Sequence, residues 1–341
     1  MNYSLSQGGW PLYKVLLACT FTGAFTFALS HQFKQSETPK PMATVNCTSH
    51  MDLLRLKEYK LIQPLLLTDI GEESEDFNEL KTDLSSTIYL EKSNGVIQDV
   101  AVYIRDFTDG SWMGINYLEN YDPGSILKLP ILLAYLKNAK SNPALLDHKL
   151  TYNGPGPNMP KQNIVSSTLQ IGKSYTIREL LRFMIVDSDN QANALLNNYI
   201  EPNAIIGVFK DLNTPIPDMH AQTFQLNAKD ISKFLRVLYN SSYTTPELSE
   251  YALDLLTKVT FKDGMRQSIP ENIVMAHKFG ERGYSNSKVN ELHETSIIYL
   301  EGRPILLTIL TRGTNQLKQA AMIRNLTKIS FDHLTKKTTT S

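Results

Sequence analysis

The chain has little cysteine: only Cys19 and Cys47 occur among its 341 residues. Both lie near the N-terminus, so the long C-terminal part of the sequence cannot contain an internal disulfide. That part, roughly 260–290 residues long, must therefore be held together by a hydrophobic core, which a segment of this length can supply.

An excess of charge of either sign is also missing. The sequence has 34 basic and 34 acidic residues, which gives no indication of a nucleic-acid or acidic-polymer partner. The histidines lack the spacing of a metal site: His277 and His293 lie in predicted strands, and His220 lies in a predicted loop. No glycine-rich phosphate loop occurs either. We therefore expect no metal and no other cofactor. We also expect the protein to be a monomer.

A long apolar run is missing as well. The uncharged run 15–29 has about 15 residues, fewer than the roughly 20 that span a bilayer as a helix. Its length is typical of a signal-peptide core, with Ala28-Leu29-Ser30 as a small-residue cleavage site and Cys19 as a lipoprotein alternative. Residues 1–30 are thus predicted to be a signal peptide or a signal anchor, and both alternatives stay open. Either one delivers the rest of the chain to the cell envelope, outside the cytoplasmic membrane, and the anchor would keep it at the membrane.

The remainder divides by composition. Residues 31–50 are polar, contain two prolines and are predicted to be a flexible linker. Residues 51–74 are predicted to form a short helix followed by an extended apolar segment. Residues 75–332 form the main domain, with a helix over 75–92, strands over 100–106 and 305–311, and a closing helix from about Asn315. Residues 333–341 are predicted to be a polar tail.

One lysine stands inside an otherwise apolar helix. From Ile126 to Leu136 almost every residue is apolar, which predicts a helix that is buried on all sides, and Lys128 lies within it. Burying an ammonium group is costly, so its pKa shifts toward the neutral amine. Ser125 lies three residues earlier, on the same helical face and at the helix N-terminus, after a Pro123-Gly124 turn. A neutral amine beside a hydroxyl is a general base beside a nucleophile.

Two further short motifs follow. Ser188-Asp189-Asn190 lies between two predicted helices, the first of which has Thr176 as its N-cap. His277-Lys278-Phe279-Gly280 is predicted to end an apolar strand, where Lys278 supplies a cation and Gly280 permits a close backbone approach.

In this order, the three motifs resemble those of the serine β-lactamase and penicillin-binding protein superfamily, closest to the class A branch and its related serine hydrolases. The resemblance covers residues 75–332. It implies an α/β (α+β) fold, in which helices flank an antiparallel sheet and an all-helical subdomain is inserted. It also implies a small-molecule or peptide substrate, either a β-lactam or a peptidoglycan stem peptide.

The resemblance assigns three catalytic roles. Ser125 would be the acylated nucleophile, Lys128 its base, and Ser188 the relay that passes a proton to the leaving nitrogen.

The resemblance also implies the substrate-binding groups. Asn190 would hold a substrate amide and help to position Lys128. Lys278 would supply positive potential to Ser188 and to a substrate carboxylate, next to Gly280. The backbone N–H groups of Ser125 and Glu281 would form the oxyanion hole.

The sequence departs from the family pattern at two places. Phe279 stands where the family usually has threonine or serine, whose hydroxyl helps to hold the substrate carboxylate. The loop glutamate that activates the deacylating water in class A enzymes has no counterpart: the nearest match, 209–213, begins with Phe209. Asp211 and Asp218 could substitute, but neither has the expected offset. Residues 203–212 are instead predicted to be a helix with Asn213 as its left-handed cap.

These observations predict a serine hydrolase that forms an acyl-enzyme on Ser125 and deacylates slowly. Three alternatives stay open: a slow or divergent class A β-lactamase, a D-Ala-D-Ala carboxypeptidase of the penicillin-binding type, and a non-catalytic envelope-binding module.

Overall fold

The computed structural model describes residues 51–57, 63–93, 95–155, 169–218, 223–283 and 287–338. The predicted signal segment 1–30 and linker 31–50 lie outside the described residues. Within the described ranges, no helix is both long and apolar enough to cross a membrane.

A five-stranded antiparallel sheet forms the centre of the main domain. The strands in chain order are β1 (Met51–Arg55), β2 (Leu65–Ile70), β3 (Ile97–Asp106), β4 (Trp112–Ile115), β5 (Lys149–Thr151), β6 (Ser174–Thr176), β7 (Met275–Gly283), β8 (Asn290–Leu300) and β9 (Arg303–Gly313). The sheet order is β4-β3-β9-β8-β7, so β7 lies at one edge.

Helices cover both faces of this sheet. In chain order they are α1 (Asn78–Ser93), α2 (Lys128–Ser141), α3 (Ile177–Val186), α4 (Asn190–Tyr199), α5 (Pro202–Asp211), α6 (Ala228–Tyr239), α7 (Pro246–Thr257) and α8 (Gln316–Thr338). The predicted helical insertion is present as α2–α7 between β4 and β7, and it also carries the two-stranded sheet β5-β6. The predicted α/β sandwich is therefore confirmed.

The strand sequences explain why the sheet has two buried faces. Successive side chains of a strand point to opposite faces. In β3, Val100, Val102 and Ile104 pack in the core that includes α1 and α8, whereas Ala101 and Tyr103 pack in the core of the helical insertion. A strand segment that is buried on both sides is mostly apolar, as residues 100–104 of β3 and 305–307 of β9 are.

The prediction of a short helix near residue 51 is wrong, because these residues form strand β1, which pairs antiparallel with β2 in a two-stranded sheet. Long-range contacts hold β2 in this conformation. Asp69 forms ion pairs with the buried Arg236 at 2.7 Å and with Arg105 at 3.3 Å, and both arginines donate to the Thr68 carbonyl oxygen. The leucine-rich sequence does not reveal these partners, which lie far away along the chain.

Two boundaries also differ from the prediction. The strand expected to end at Gly280 continues to Gly283, because its backbone pairs with β8 as far as Asn290. Lys278 therefore lies within an edge strand rather than at its end. The closing helix α8 continues to Thr338, so residues 333–338 of the predicted polar tail are helical.

Candidate active site

Ser125 lies on a tight turn that leads into the buried helix. The turn is a 3₁₀ helix, Gly124–Leu127, and α2 begins at Lys128 directly after it. Gly124 has φ +53°, and a Cβ there would lie 2.4 Å from the Glu281 carbonyl oxygen. Only glycine fits both this backbone conformation and this close approach. The glycine thus allows β7 to lie against the residue that precedes Ser125.

Buried side chains from the sheet hold the start of this turn. Glu291 accepts a hydrogen bond from the Asp122 amide at 2.8 Å. His293 lies with Nε2 3.0 Å from the Asp122 carbonyl oxygen, and its Nδ1 accepts from the Thr311 amide, so Nε2 carries the proton and donates. Arg282 pairs with the Asp122 carboxylate at 3.1 Å. These positioning residues were not predicted from the sequence, because no local motif marks them.

Lys128 makes four polar contacts in the site. Its Nζ lies 3.2 Å from the Oγ of Ser125, 3.1 Å from the Oγ of Ser188 and 2.5 Å from the Ser188 carbonyl oxygen. The fourth contact, at 2.8 Å, is to the Oδ1 of Asn190. Since only 3% of Lys128 is exposed, all of these contacts are shielded from bulk water. The helix that surrounds it is buried as predicted.

Burial lowers the pKa of Lys128 to about 7, although the carboxylates of Asp189 and Glu281 act in the opposite direction. The neutral amine has two N–H groups and one lone pair. The Ser188 carbonyl oxygen and the Asn190 side-chain oxygen can only accept, so they take the two N–H groups. The lone pair is then available to a hydroxyl group, and the hydroxyls of Ser125, at 3.2 Å, and Ser188, at 3.1 Å, both lie within its reach. Lys128 can therefore act as a general base toward Ser125.

The Ser188-Asp189-Asn190 segment is shaped by an unusual backbone conformation. Ser188 is buried and has φ +53°, a conformation that costs a non-glycine residue of order 1–3 kcal/mol. Asp189 caps α4, because its carboxylate accepts from the amides of Gln191 and Ala192. This cap begins the helix at Asn190. The side chains of Ser188 and Asn190, which flank Asp189, both contact Lys128. The preceding helix α3 begins with the predicted Thr176 cap, completed by Glu179 as a capping box.

Lys278 approaches Ser188 from the edge strand. Its Nζ donates to the Oγ of Ser188 at 2.9 Å and to the Phe279 carbonyl oxygen at 3.2 Å. Complete burial lowers the pKa of Lys278 well below its usual value, and the nearby Lys128 lowers it further. Gly280 is required here, because a Cβ would lie 2.2 Å from the Pro123 carbonyl oxygen.

Phe279 points to the opposite face of β7. Its ring stacks on Phe261 with centroids 4.3 Å apart, in the core that includes α8. On that same face His277 contacts Glu294 at 2.6 Å, and Glu294 also accepts from the Met265 amide. Phe279 therefore leaves the site without the hydroxyl that the family pattern would place there, and it acts as a core residue.

The Glu281 backbone lies beside the nucleophile turn, where its nitrogen would be 3.0 Å from a Cβ on Gly124. Its side chain accepts from Gln316 at 2.9 Å. The structure thus brings Glu281 close to Ser125 in space, and the oxyanion hole formed by their two N–H groups remains a prediction.

A cavity of about 390 Å³ opens beside Ser125 and Lys128 and extends between α4 and α5. Asp218 lines it, whereas Asp211 is engaged elsewhere, with Lys137 at 2.9 Å and the Tyr243 hydroxyl at 2.6 Å. The segment 212–227 between α5 and α6 contains no glutamate. Asn213, with φ +47°, is the predicted left-handed residue after α5.

The residues that line the cavity beside Ser125 are Asp122, Gly124, Ser125, Leu127, Lys128, Ile131, Asn190, Asn193, Asn197, Ile205, Phe209, Pro217, Asp218, Thr223, Phe224, Glu281 and Arg282.

The sandwich fold and the Ser-x-x-Lys cleft define a β-lactamase-like protein. The chain belongs to the beta-lactamase enzyme family, whose family model matches residues 79–334. Among curated proteins it is similar to the β-lactamase VEB-1 of Pseudomonas aeruginosa, with 21% identity over 263 residues that cover 69% of this chain and 85% of that protein.

Solved structures share the fold. A β-lactamase from Chitinophaga pinensis superposes with a TM-score of 0.65 and 16% identity, over 74% of this chain and 98% of that one. A mutant of PBP-A, solved as an acyl-enzyme complex with penicillin G, superposes with a TM-score of 0.62 and 16% identity, over 75% and 97%. At these identities the likeness shows the fold alone.

Proposed function

We propose that this β-lactamase-like protein is a serine hydrolase that forms an acyl-enzyme on Ser125 and releases it slowly. The acyl donor would be a β-lactam or a peptidyl amide such as a peptidoglycan stem peptide. The observation that carries the proposal is the contact set of Lys128. Both N–H groups of its neutral amine have acceptors, and its lone pair is available to take the proton of the Ser125 hydroxyl 3.2 Å away.

The proposed first half-reaction uses these contacts. The Ser125 oxygen attacks the substrate carbonyl carbon as its proton passes to Lys128. Negative charge then develops on the carbonyl oxygen, which the N–H groups of Ser125 and Glu281 would stabilise. As the carbon–nitrogen bond breaks, the leaving nitrogen takes a proton from Ser188. Ser188 lies within hydrogen-bond distance of both lysines and can be reprotonated by Lys128.

Substrate binding involves the two remaining side chains. Asn190 would donate its amide N–H groups to a substrate carbonyl while its oxygen holds Lys128. A substrate carboxylate near Lys278 would favour the ammonium form of that residue. Because Phe279 adds no hydroxyl, we expect weak binding of the carboxylate.

Slow release is proposed because a base for the second half-reaction is missing from the expected place. Segment 212–227 has no glutamate, and Asp211 is engaged with Lys137 and Tyr243. Asp218 lines the cavity but does not have the sequence offset of the family's glutamate. Lys128 would then have to serve both half-reactions. The same observation favours a penicillin-binding-type carboxypeptidase as the second candidate.

The time course with a chromogenic cephalosporin tests slow release. We expect a burst close to one equivalent of enzyme followed by a much slower steady rate, because acylation is faster than hydrolysis. Stopped-flow absorbance at several enzyme concentrations measures both phases. A fast linear time course without a burst would indicate efficient deacylation, and the absence of any reaction would favour a non-catalytic binding module.

The burst rate is expected to depend on pH. Since the pKa of Lys128 is lowered to about 7, the neutral amine becomes dominant as the pH rises through that value. Acylation should therefore accelerate with a midpoint near 7 and then level off at higher pH. Burst rates in buffers of constant ionic strength measure this profile. A rate that falls over the same range would contradict a neutral lysine as the base.

The location is also part of the proposal. A signal peptide or anchor in residues 1–30 would deliver the domain outside the cytoplasmic membrane, where β-lactams and stem peptides occur.

A further inference from the structure

Three large apolar side chains of the β1-β2 sheet are exposed to solvent. Met51, Leu53 and Leu65 have 57%, 50% and 42% of their surface accessible. Because strand side chains alternate between faces, Met51, Leu53 and Arg55 share one face, and the register places Leu65 opposite Arg55. We call these four residues the outer hairpin face. A single exposed leucine is ordinary, whereas a cluster of apolar side chains on so small a sheet is typical of an interaction surface.

The opposite face of this hairpin is fixed to the main domain. Leu67 is buried in the core of the helical insertion, and Asp69 pairs with the buried Arg236 at 2.7 Å. The indole N–H of Trp112 donates to the Ile70 carbonyl oxygen at 2.7 Å. These contacts make the hairpin and the domain one unit, so a surface that binds the outer hairpin face also restrains the whole domain.

The position of the hairpin in the chain favours lipid as its partner. Met51 follows the uncharged run 15–29 by 22 residues. A flexible linker of this length has an r.m.s. end-to-end distance of about 25 Å. An anchor in that run therefore keeps the outer hairpin face near the membrane surface at high effective concentration, and a weak contact is then sufficient.

The charges beside the apolar side chains also fit a membrane surface. Arg55 and Lys57 are exposed, and Asp52 is the only carboxylate among residues 51–57. Apolar side chains can enter the headgroup boundary while arginine and lysine contact anionic headgroups. In a two-fold contact with a second copy, the same cations would face each other. The linker 31–50 is polar and offers few apolar side chains to cover this face.

We propose that the outer hairpin face rests on the lipid bilayer that holds the N-terminal anchor and restrains the domain there with its cleft uncovered. The hairpin contacts β3 and β4 through Arg105 and Trp112, whereas Lys278 lies on β7, at the opposite edge of the sheet. Four strand spacings, about 19 Å in total, separate the two edges. The proposal rests on the proposed membrane location, and it does not depend on the chemistry at Ser125.

Quenching by labelled lipids tests the contact in the full chain. A bimane label is attached at Leu53→Cys in a chain that also carries Cys19→Ser and Cys47→Ser. The chain is reconstituted in phosphatidylcholine–phosphatidylglycerol vesicles with and without nitroxide headgroups. We expect the nitroxide lipids to remove most of the emission, because interfacial side chains lie within about 5–10 Å of the headgroup boundary.

The matched control places the same label at Leu317→Cys. Leu317 is 81% exposed and follows Gln316, whose side chain contacts Glu281 on the distant strand β7. This label should keep most of its emission in the same vesicles. Equal quenching of the two labels would overturn the proposed contact, because it would mean that the domain has no preferred face toward the lipid.

A further variant separates docking from tethering. Adding Met51→Thr and Leu65→Thr to the Leu53→Cys chain keeps the linker and the strand propensity but removes apolar surface. These exposed substitutions should leave the melting temperature unchanged and restore most of the emission. Unchanged quenching would mean that the linker alone brings the label to the membrane, and it would overturn the proposal.

The remaining outcomes also decide the matter. A chain that floats with the vesicles without quenching of the Leu53→Cys label rejects the hairpin contact, and a chain that does not float rejects the anchor and the contact together. Self-quenching that grows with protein density in unlabelled lipid would identify a second copy as the partner instead. Failure of the proposed function is distinguishable, because it appears as an unmodified Ser125 and changes none of these emissions.

Discussion

Replacing Lys128 with methionine is expected to slow acylation of Ser125 by about 10²–10⁴-fold, the usual contribution of a general base. Methionine has a similar length and suits a buried site, so the fold should be retained. It cannot take the serine proton, and it leaves Ser188 and Asn190 without their amine partner. Quenched-flow mass spectrometry with a penicillin measures the rate constant of acylation.

The matched control is Lys140→Met, which changes an exposed lysine of the same helix. This variant should acylate at the wild-type rate. A Lys128→Met protein that melts at the wild-type temperature and still acylates at the wild-type rate would refute the role of Lys128 as the base. A variant that has lost its cooperative melting transition would not count, and Lys128→Leu would then replace it.

Replacing Gly280 with alanine is expected to reduce acylation by about 10²-fold and to lower the melting temperature. A Cβ at this position would lie 2.2 Å from the Pro123 carbonyl oxygen and 3.1 Å from the Ile126 amide nitrogen. Both are backbone atoms of the nucleophile turn, so β7 and the turn must separate. A displacement of about 1 Å between reacting groups can cost this much in rate.

Gly283→Ala provides the comparison on the same strand, since a Cβ there meets nothing within 4 Å. It should leave both the melting temperature and the acylation rate close to wild type. Equal behaviour of the two alanine variants would mean that the close approach of β7 to the turn has no importance for the site.

The parts of the site that the sequence predicted are those set by local geometry. Ser125 and Lys128 meet because they are three residues apart on a helical turn, and Thr176 caps α3 through its own neighbours. The apolar sequence after Ile126 likewise predicts burial of the lysine, because a helix with no polar face has no side for solvent. These inferences need only the helical period.

The parts that the sequence did not predict depend on distant contacts. The β1-β2 pair is held by Arg105 and Arg236, which approach from β3 and α6. The left-handed backbone of Ser188 occurs beside contacts of its side chain with Lys128 and Lys278, which lie 60 and 90 residues away in the sequence.

The central claim is that Ser125 is the nucleophile, and intact mass after exposure to penicillin G tests it most directly. The wild-type chain should gain the mass of the whole drug and keep it for many minutes, with the adduct on the peptide that contains Ser125. The Ser125→Ala chain should gain nothing under the same conditions. An equal adduct on both proteins, or an adduct mapped to another residue, would contradict the account.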